Sequence, residues 1–198
     1  MTTPLQGPGR RGLTPAPLVG AVQRIEAADA LEAPARALAL LADRLLMSDR
    51  ARSTLRGEPL GHALHPLLTD FPLGAWTSTS LLDLFGGRRS RPAATGLLAF
   101  GVVAAVPTAL TGLAEWREAA GRARRVGVVH AAVNGMALTL YSTSLLARLR
   151  GRHGRAVGLG LAGGVVAFVG GYLGGHLSLV LKVGTADPVL VEGPAPEA

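Results

Sequence analysis

Residues 92–114 read PAATGLLAFGVVAAVPTALTGLA, 23 residues without one charge. About 20 apolar residues carry an α-helix across the hydrocarbon core of a bilayer, so this stretch predicts a transmembrane helix. Two later stretches repeat it. Residues 126–147 are broken only by His130, and residues 156–181 only by His176. A fourth, residues 63–85, is weaker because it holds Asp70 and Asp83. It counts as a span here because membrane hairpins favour an even number of crossings. A carboxylate within the membrane is tolerated where it faces the bundle interior.

The connections between these stretches are short and rich in arginine. Arg88, Arg89 and Arg91 separate the first two. Arg117, Arg122, Arg124 and Arg125 lie between the second and third, beside Glu115 and Glu118. Arg148, Arg150, Arg152 and Arg155 lie between the third and fourth. Short loops make consecutive helices antiparallel. The expected fold is therefore all-α: a four-helix transmembrane bundle with an amphipathic helical segment at its N-terminus.

Composition agrees with a lipid setting. Hydrophobic residues make up 48% of the 198, yet aromatics only 4%. The apolar content is Ala, Leu, Val and Gly, the palette of close-packed membrane helices. The net charge is +7, and all but one of the 20 basic residues are arginines, Lys182 being the exception. Because those arginines flank apolar runs, anionic lipid headgroups are the expected partner, and nucleic acid is not. There is no cysteine, which excludes disulfides, thiol chemistry and Cys-ligated metal. The opening residues contain no apolar run of signal-peptide length. The bias to Ala, Gly and Arg suggests a GC-rich bacterial source, and hence a multi-pass protein of the bacterial inner or plasma membrane.

Four regions are expected. Residues 1–17, rich in Pro and Gly, read as disordered. Residues 18–57 repeat apolar positions near helical spacing (Leu18, Val22, Ile25, then Leu38, Leu41, Leu45), with Pro34 at a helix start. They read as amphipathic interfacial helices lying on the membrane or on the bundle, or as a small soluble hairpin. Residues 58–184 form the membrane domain, and residues 185–198 an acidic, flexible tail. In the last span, Gly160 and Gly164, Gly170 and Gly174, and Gly171 and Gly175 are each four apart. That spacing admits close helix contact within the bundle, dimerisation, or room for a flat cofactor.

Antiparallel threading has a chemical consequence. Let face A carry the first–second and third–fourth loops, and face B the N-terminus, the middle loop and the C-terminus. His62 and His65 open the first span on face B. His130 is four residues inside the third span, roughly 6 Å deep, and His176 five residues from the end of the fourth, roughly 8 Å deep. Four of the five histidines are thus expected at one layer, while His153 lies in a face A loop. An imidazole inside a membrane needs a partner, a ligand or water. Imidazole suits iron, copper, zinc and haem iron. The candidate metal ligands are His62, His65, His130 and His176, with His130 and His176 the pair expected to hold a haem b. Asp70, Asn134 and Glu115 are candidate supporting groups that accept from or orient the ligands. Thr108 and Thr111 are expected to relieve the bend at Pro107. Asp83 is expected to pair with Arg88 or Arg89, Trp76 to pack in mid-span, and Trp116 to sit in the headgroup layer.

The stretch LGHALHPLLTDFPLGAWTSTSLLDLFG, with ALTGLAEW, RRVGVVHAAVN and GGYLGGHL after it, resembles a bacterial family of predicted membrane proteins known as domain of unknown function 2231. The resemblance covers roughly residues 58–184. The family's first block usually reads Gly-His-Pro-x-His-Pro, and Ala63 stands here in place of its first proline. Members sometimes carry a Rieske-type iron–sulfur domain, which a chain without cysteine lacks. The association implies electron transfer, with an iron–sulfur protein as a redox partner.

Two function classes follow. In the first, the chain is a redox-associated module binding haem or a transition metal (iron, copper or zinc) through its histidines. In the second, it is a structural or partner-binding membrane subunit, or a small transporter component, whose histidines form a metal-free polar network. An oligomer through the glycine-rich fourth span belongs to either. No nucleophile elbow, Walker loop or dinucleotide fingerprint stands where an enzyme would need it.

Overall fold

A computed structural model describes residues 17–46 and 48–184. The expected disordered lead-in, Pro17 apart, and the expected acidic tail lie outside the described residues. Among the described residues the chain is helical, with no strand. Three short helices come first: α1 (Pro17–Ala27), α2 (Glu32–Leu45) and α3 (Asp49–Arg56). Four long ones follow: α4 (Leu64–Phe85), α5 (Arg91–Trp116), α6 (Gly121–Leu149) and α7 (His153–Gly175), the last extended by a π-helical turn, His176–Val180. Each long helix contains one of the apolar stretches. Among the described residues two segments are both long and apolar enough to cross a membrane, Arg88–Trp116 and His153–Val180. In α4 the two aspartates, and in α6 the run of His, Asn, Ser and Thr, dilute the apolar character. The count of four spans is therefore not carried by hydropathy.

α4 pairs most extensively with α5, and α6 with α7; α5 against α6 and α4 against α7 join the two hairpins. The interior is built from small residues. Ala75, Ala94, Ala105, Ala137, Ala156 and Ala167 are buried, as are Thr79 and Ser144. Large apolar side chains point outward instead: Phe168 is 78% exposed, Val103 70% and Val165 69%. A water-soluble domain buries its large residues to gain hydrophobic free energy. In lipid that drive between helices vanishes, and small residues at the contacts let backbones approach. At the centre Trp76 of α4 stacks on Tyr141 of α6, with centroids 4.1 Å apart. A Cβ on Gly101 would come within 2.4 Å of the Trp76 indole nitrogen, and one on Gly163 within 3.2 Å of the Tyr141 ring. This one stack therefore touches all four long helices.

At face A, the side chains of Arg148 (α6) and Asp83 (α4) are only 2% and 3% exposed. Arg148 Nη1 donates to Asp83 Oδ1 at 3.0 Å, and Nη2 closes the second limb of the fork. This corrects the expected pairing of Asp83 with Arg88 or Arg89, which belong to the adjacent turn. Arg148, read as a loop residue, still belongs to α6 and turns inward.

The N-terminal helices lie on the bundle at face B. Val22 of α1 packs with Val126, Leu173 and Leu177. Ala35 and Ala39 of α2 surround Trp116 and Val128, and Ala42 and Leu46 contact Ala114. Pro34 falls in the first turn of α2, where its missing N–H is not needed. Charge reinforces the docking. Arg117 grips Asp43 with a two-pronged contact (2.9 and 3.2 Å), and that hydrogen bond holds the exposed Asp43 carboxyl below its ordinary range. Arg125 pairs with Glu32 and Asp29 and donates to the Glu26 carbonyl. The middle-loop arginines expected to meet lipid headgroups are thus largely engaged within the chain. Trp116 lies beneath α2. It is 7% exposed, its indole N–H donates to the Arg124 carbonyl at 3.0 Å, and the Arg124 guanidinium lies 5.6 Å over its ring.

Candidate functional site

The polar layer near face B starts from a backbone defect. Pro72 has no N–H, so the Leu68 carbonyl, four residues earlier in α4, has no helical donor. The Thr108 hydroxyl of α5 stands 3.1 Å from that carbonyl and 2.8 Å from the Ala104 carbonyl of its own helix. Thr108 bonds back to its own helix beside Pro107, as expected, and also reaches across to α4. The Thr111 hydroxyl donates to the Thr108 carbonyl at 2.8 Å.

His65 shares that carbonyl, its Nδ1 donating to Thr108 O at 2.8 Å. Its backbone N–H donates to Glu115 Oε1 at 3.3 Å. The ring lies where a Cβ on Gly112 would stand, 2.7 Å from its Cε1, so only glycine at 112 admits it. One helix pair further on, the pattern repeats. His130 Nδ1 of α6 donates to the Gly170 carbonyl of α7 at 3.0 Å, and the Asn134 amide, one turn along α6, lies 3.0 Å from His130 Nε2. Cβ atoms on Gly170 and Gly174 would meet Asn134 at 2.2 Å and His130 at 2.9 Å. These two glycines are cradles for the polar side chains of α6. The two imidazoles then meet edge to face, with centroids 6.4 Å apart.

His176 joins a different group. Its Nε2 donates to Glu26 Oε1 of α1 at 2.7 Å, a partner that sequence reading missed. His62 is exposed in the turn before α4, and Asp70 is exposed on the outer face of α4. Of the expected ligands, His65 and His130 come together, His176 bonds Glu26 of α1, and His62 and Asp70 are exposed. Among the described residues no group of three or more His, Asp or Glu side chains could hold a metal ion. Of the expected supporting groups, Asn134 touches His130 and Glu115 touches the backbone of His65, while Asp70 touches neither.

A family model described as Predicted membrane protein (DUF2231) matches residues 61–187. The chain belongs to this family. The DUF2231 match takes in all four long helices and every residue of the polar layer. α1, α2 and α3, including Glu26, lie before it. No curated protein and no solved structure matches the chain.

Proposed function

We propose that this DUF2231 protein is a four-span membrane subunit with a structural or partner-binding role, its histidines forming a metal-free polar network that ties the helices together. One observation carries the reading: each intramembrane imidazole already has a partner on another element. His65 links α4 to α5 through the Thr108 carbonyl, His130 links α6 to α7 through the Gly170 carbonyl, and His176 links α7 to α1 through Glu26. The His65–His130 contact then joins the two hairpins. The outward residues of α4 (Leu67, Phe71, Leu81, Leu84, Phe85) and of α6 (Met136, Leu146, Leu149) support lipid around the two helices that hydropathy alone does not single out.

An absorption spectrum with elemental analysis of detergent-purified protein tests this. The reading expects no Soret band and no stoichiometric metal. It also expects His130→Leu to lower unfolding stability by about 0.5–2 kcal/mol, the range of interhelical hydrogen bonds in membranes. A Soret band that disappears in His130→Leu would overturn it.

One observation favours a second reading. Donation from Nδ1 to a carbonyl fixes the tautomer whose Nε2 lone pair is free to ligate, the arrangement common in metal-bound histidines. His65 and His130 share it, so a haem or transition metal would take these two rather than His130 and His176. It would have to displace the Asn134 amide from His130 Nε2. The same spectrum and elemental analysis separate the two readings.

A further inference from the structure

The arginines of the two faces are handled differently. On face B, Arg56, Arg117, Arg122 and Arg125 all pair with carboxylates. On face A, Arg150, Arg152 and Arg155 converge around the tight α6–α7 turn, where Gly151 takes a φ of +71°. Among the described residues no carboxylate pairs with any of the three. They line one recess of about 120 Å³ together with Thr143, Leu146 and Ala147 of α6 and Leu159 of α7. Three guanidiniums gathered without a counter-charge repel one another, and an anion among them relieves this. Guanidinium groups match phosphate oxygens in charge and in hydrogen-bond geometry. The two leucines in the lining add a second requirement, because a free anion gains nothing from leucine.

We propose that this recess is a binding site for the phosphate group of an anionic phospholipid, with Arg150, Arg152 and Arg155 holding the headgroup and Leu146 and Leu159 flanking the start of an acyl chain. Leu146 lies one helical turn before Arg150, and Leu159 one turn after Arg155. Both leucines therefore fall on the bilayer side of the charges, at the depth where headgroup gives way to chain. The inference rests on the preceding reading in one respect, that the α6–α7 turn lies in the headgroup layer.

Native mass spectrometry of the detergent-solubilised full chain tests it, with phosphatidylglycerol, phosphatidylcholine or inorganic phosphate added. The expected result is a retained phosphatidylglycerol adduct, weaker phosphatidylcholine retention and no adduct with inorganic phosphate. Arg150→Gln with Arg155→Gln is expected to cut phosphatidylglycerol occupancy about tenfold or more, since each basic residue near the surface adds appreciably to anionic-lipid attraction. All these side chains are exposed, so an unchanged melting temperature without lipid certifies folding. Arg88→Gln with Arg89→Gln removes the same charge from the same face outside the recess and is expected to leave the adduct intact. Equal loss in both double variants, or no preference for phosphatidylglycerol, overturns the site. Binding of inorganic phosphate as tight as that of the lipid overturns the lipid assignment. Detergent-dependent extraction of the chain is read separately, so failure of the site is distinguishable from failure of the membrane reading.

Discussion

At the residue scale, glycine and proline decide where polar side chains can go. Pro72 strips the Leu68 carbonyl of its donor, and Thr108 stands ready to supply one. Gly112, Gly170 and Gly174 leave space that His65, Asn134 and His130 fill. Part of this was legible from spacing. Asn134 lies one turn from His130 because residues four apart share a helix face. The link from His176 to Glu26 was not legible, since it spans 150 residues and depends on how α1 docks. The role of Thr108 was readable in principle, as the orphaned carbonyl sits four residues before any helical proline. Which helix would provide the hydroxyl required the packing. Gly101 gives a sharp test. A Cβ there would lie 2.4 Å from the Trp76 indole nitrogen, so Gly101→Ala must shift the Trp76–Tyr141 stack. The expected loss is about 1–3 kcal/mol, typical of overpacking. It is read by thermal unfolding in detergent, together with altered Trp76 fluorescence.

At the element scale, two different forces join the helices. Within the bundle, α4 and α6 are clamped at face A by the buried Asp83–Arg148 pair. Asp83→Asn leaves an uncompensated charge, and the expected loss is about 3–5 kcal/mol. Asp83→Leu combined with Arg148→Met should recover much of that loss, because replacing both partners removes the buried charge. Equal melting temperatures for Asp83→Asn and wild type would contradict the clamp. Outside the bundle, α2 packs through Ala35, Ala39, Ala42 and Leu46, and surface charge reinforces that contact. Asp43 has its carboxyl depressed below the ordinary 3.8 by Arg117. A depressed carboxylate contributes stability that is fully present above its unfolded value and is lost as pH falls through the folded one. Backbone hydrogen exchange in α2 should therefore be unchanged from neutral pH down to about 5, and faster below about 3.8 once intrinsic rates are corrected. Protection that persists below that range would leave apolar contacts as the sole anchor. The long helices were legible in sequence because apolar runs of their length have few alternatives. α3 was not distinguished, since DRARSTLR offers no apolar stripe. Its helix is set by the Ser48 cap, whose hydroxyl accepts from the Ala51 N–H at 3.1 Å, and by Gly57 in the left-handed region beyond it.

At the scale of the whole molecule, the described residues form a largely inside-out assembly, with many alanine, glycine, serine and threonine residues at the helix contacts and many large Phe, Leu and Val side chains outside. The alternation of arginine-rich turns made the antiparallel order of the long helices legible. It did not reveal that face B balances its arginines with acids from α1 and α2, because those acids lie 90 or more residues away in sequence from Arg125. Everything argued for the polar layer depends on α4 and α6 crossing the bilayer as α5 and α7 are suited to do. The absence of cysteine makes this directly measurable with single cysteines at Glu58, Arg88, Arg122, Arg152 and Lys182, labelled by a membrane-impermeant thiol reagent in intact cells and in inverted vesicles. Four crossings predict that positions 88 and 152 react from one side only, and 58, 122 and 182 only from the other. Positions 58 and 88 reacting from the same side, or 122 and 152 reacting from the same side, would contradict the account.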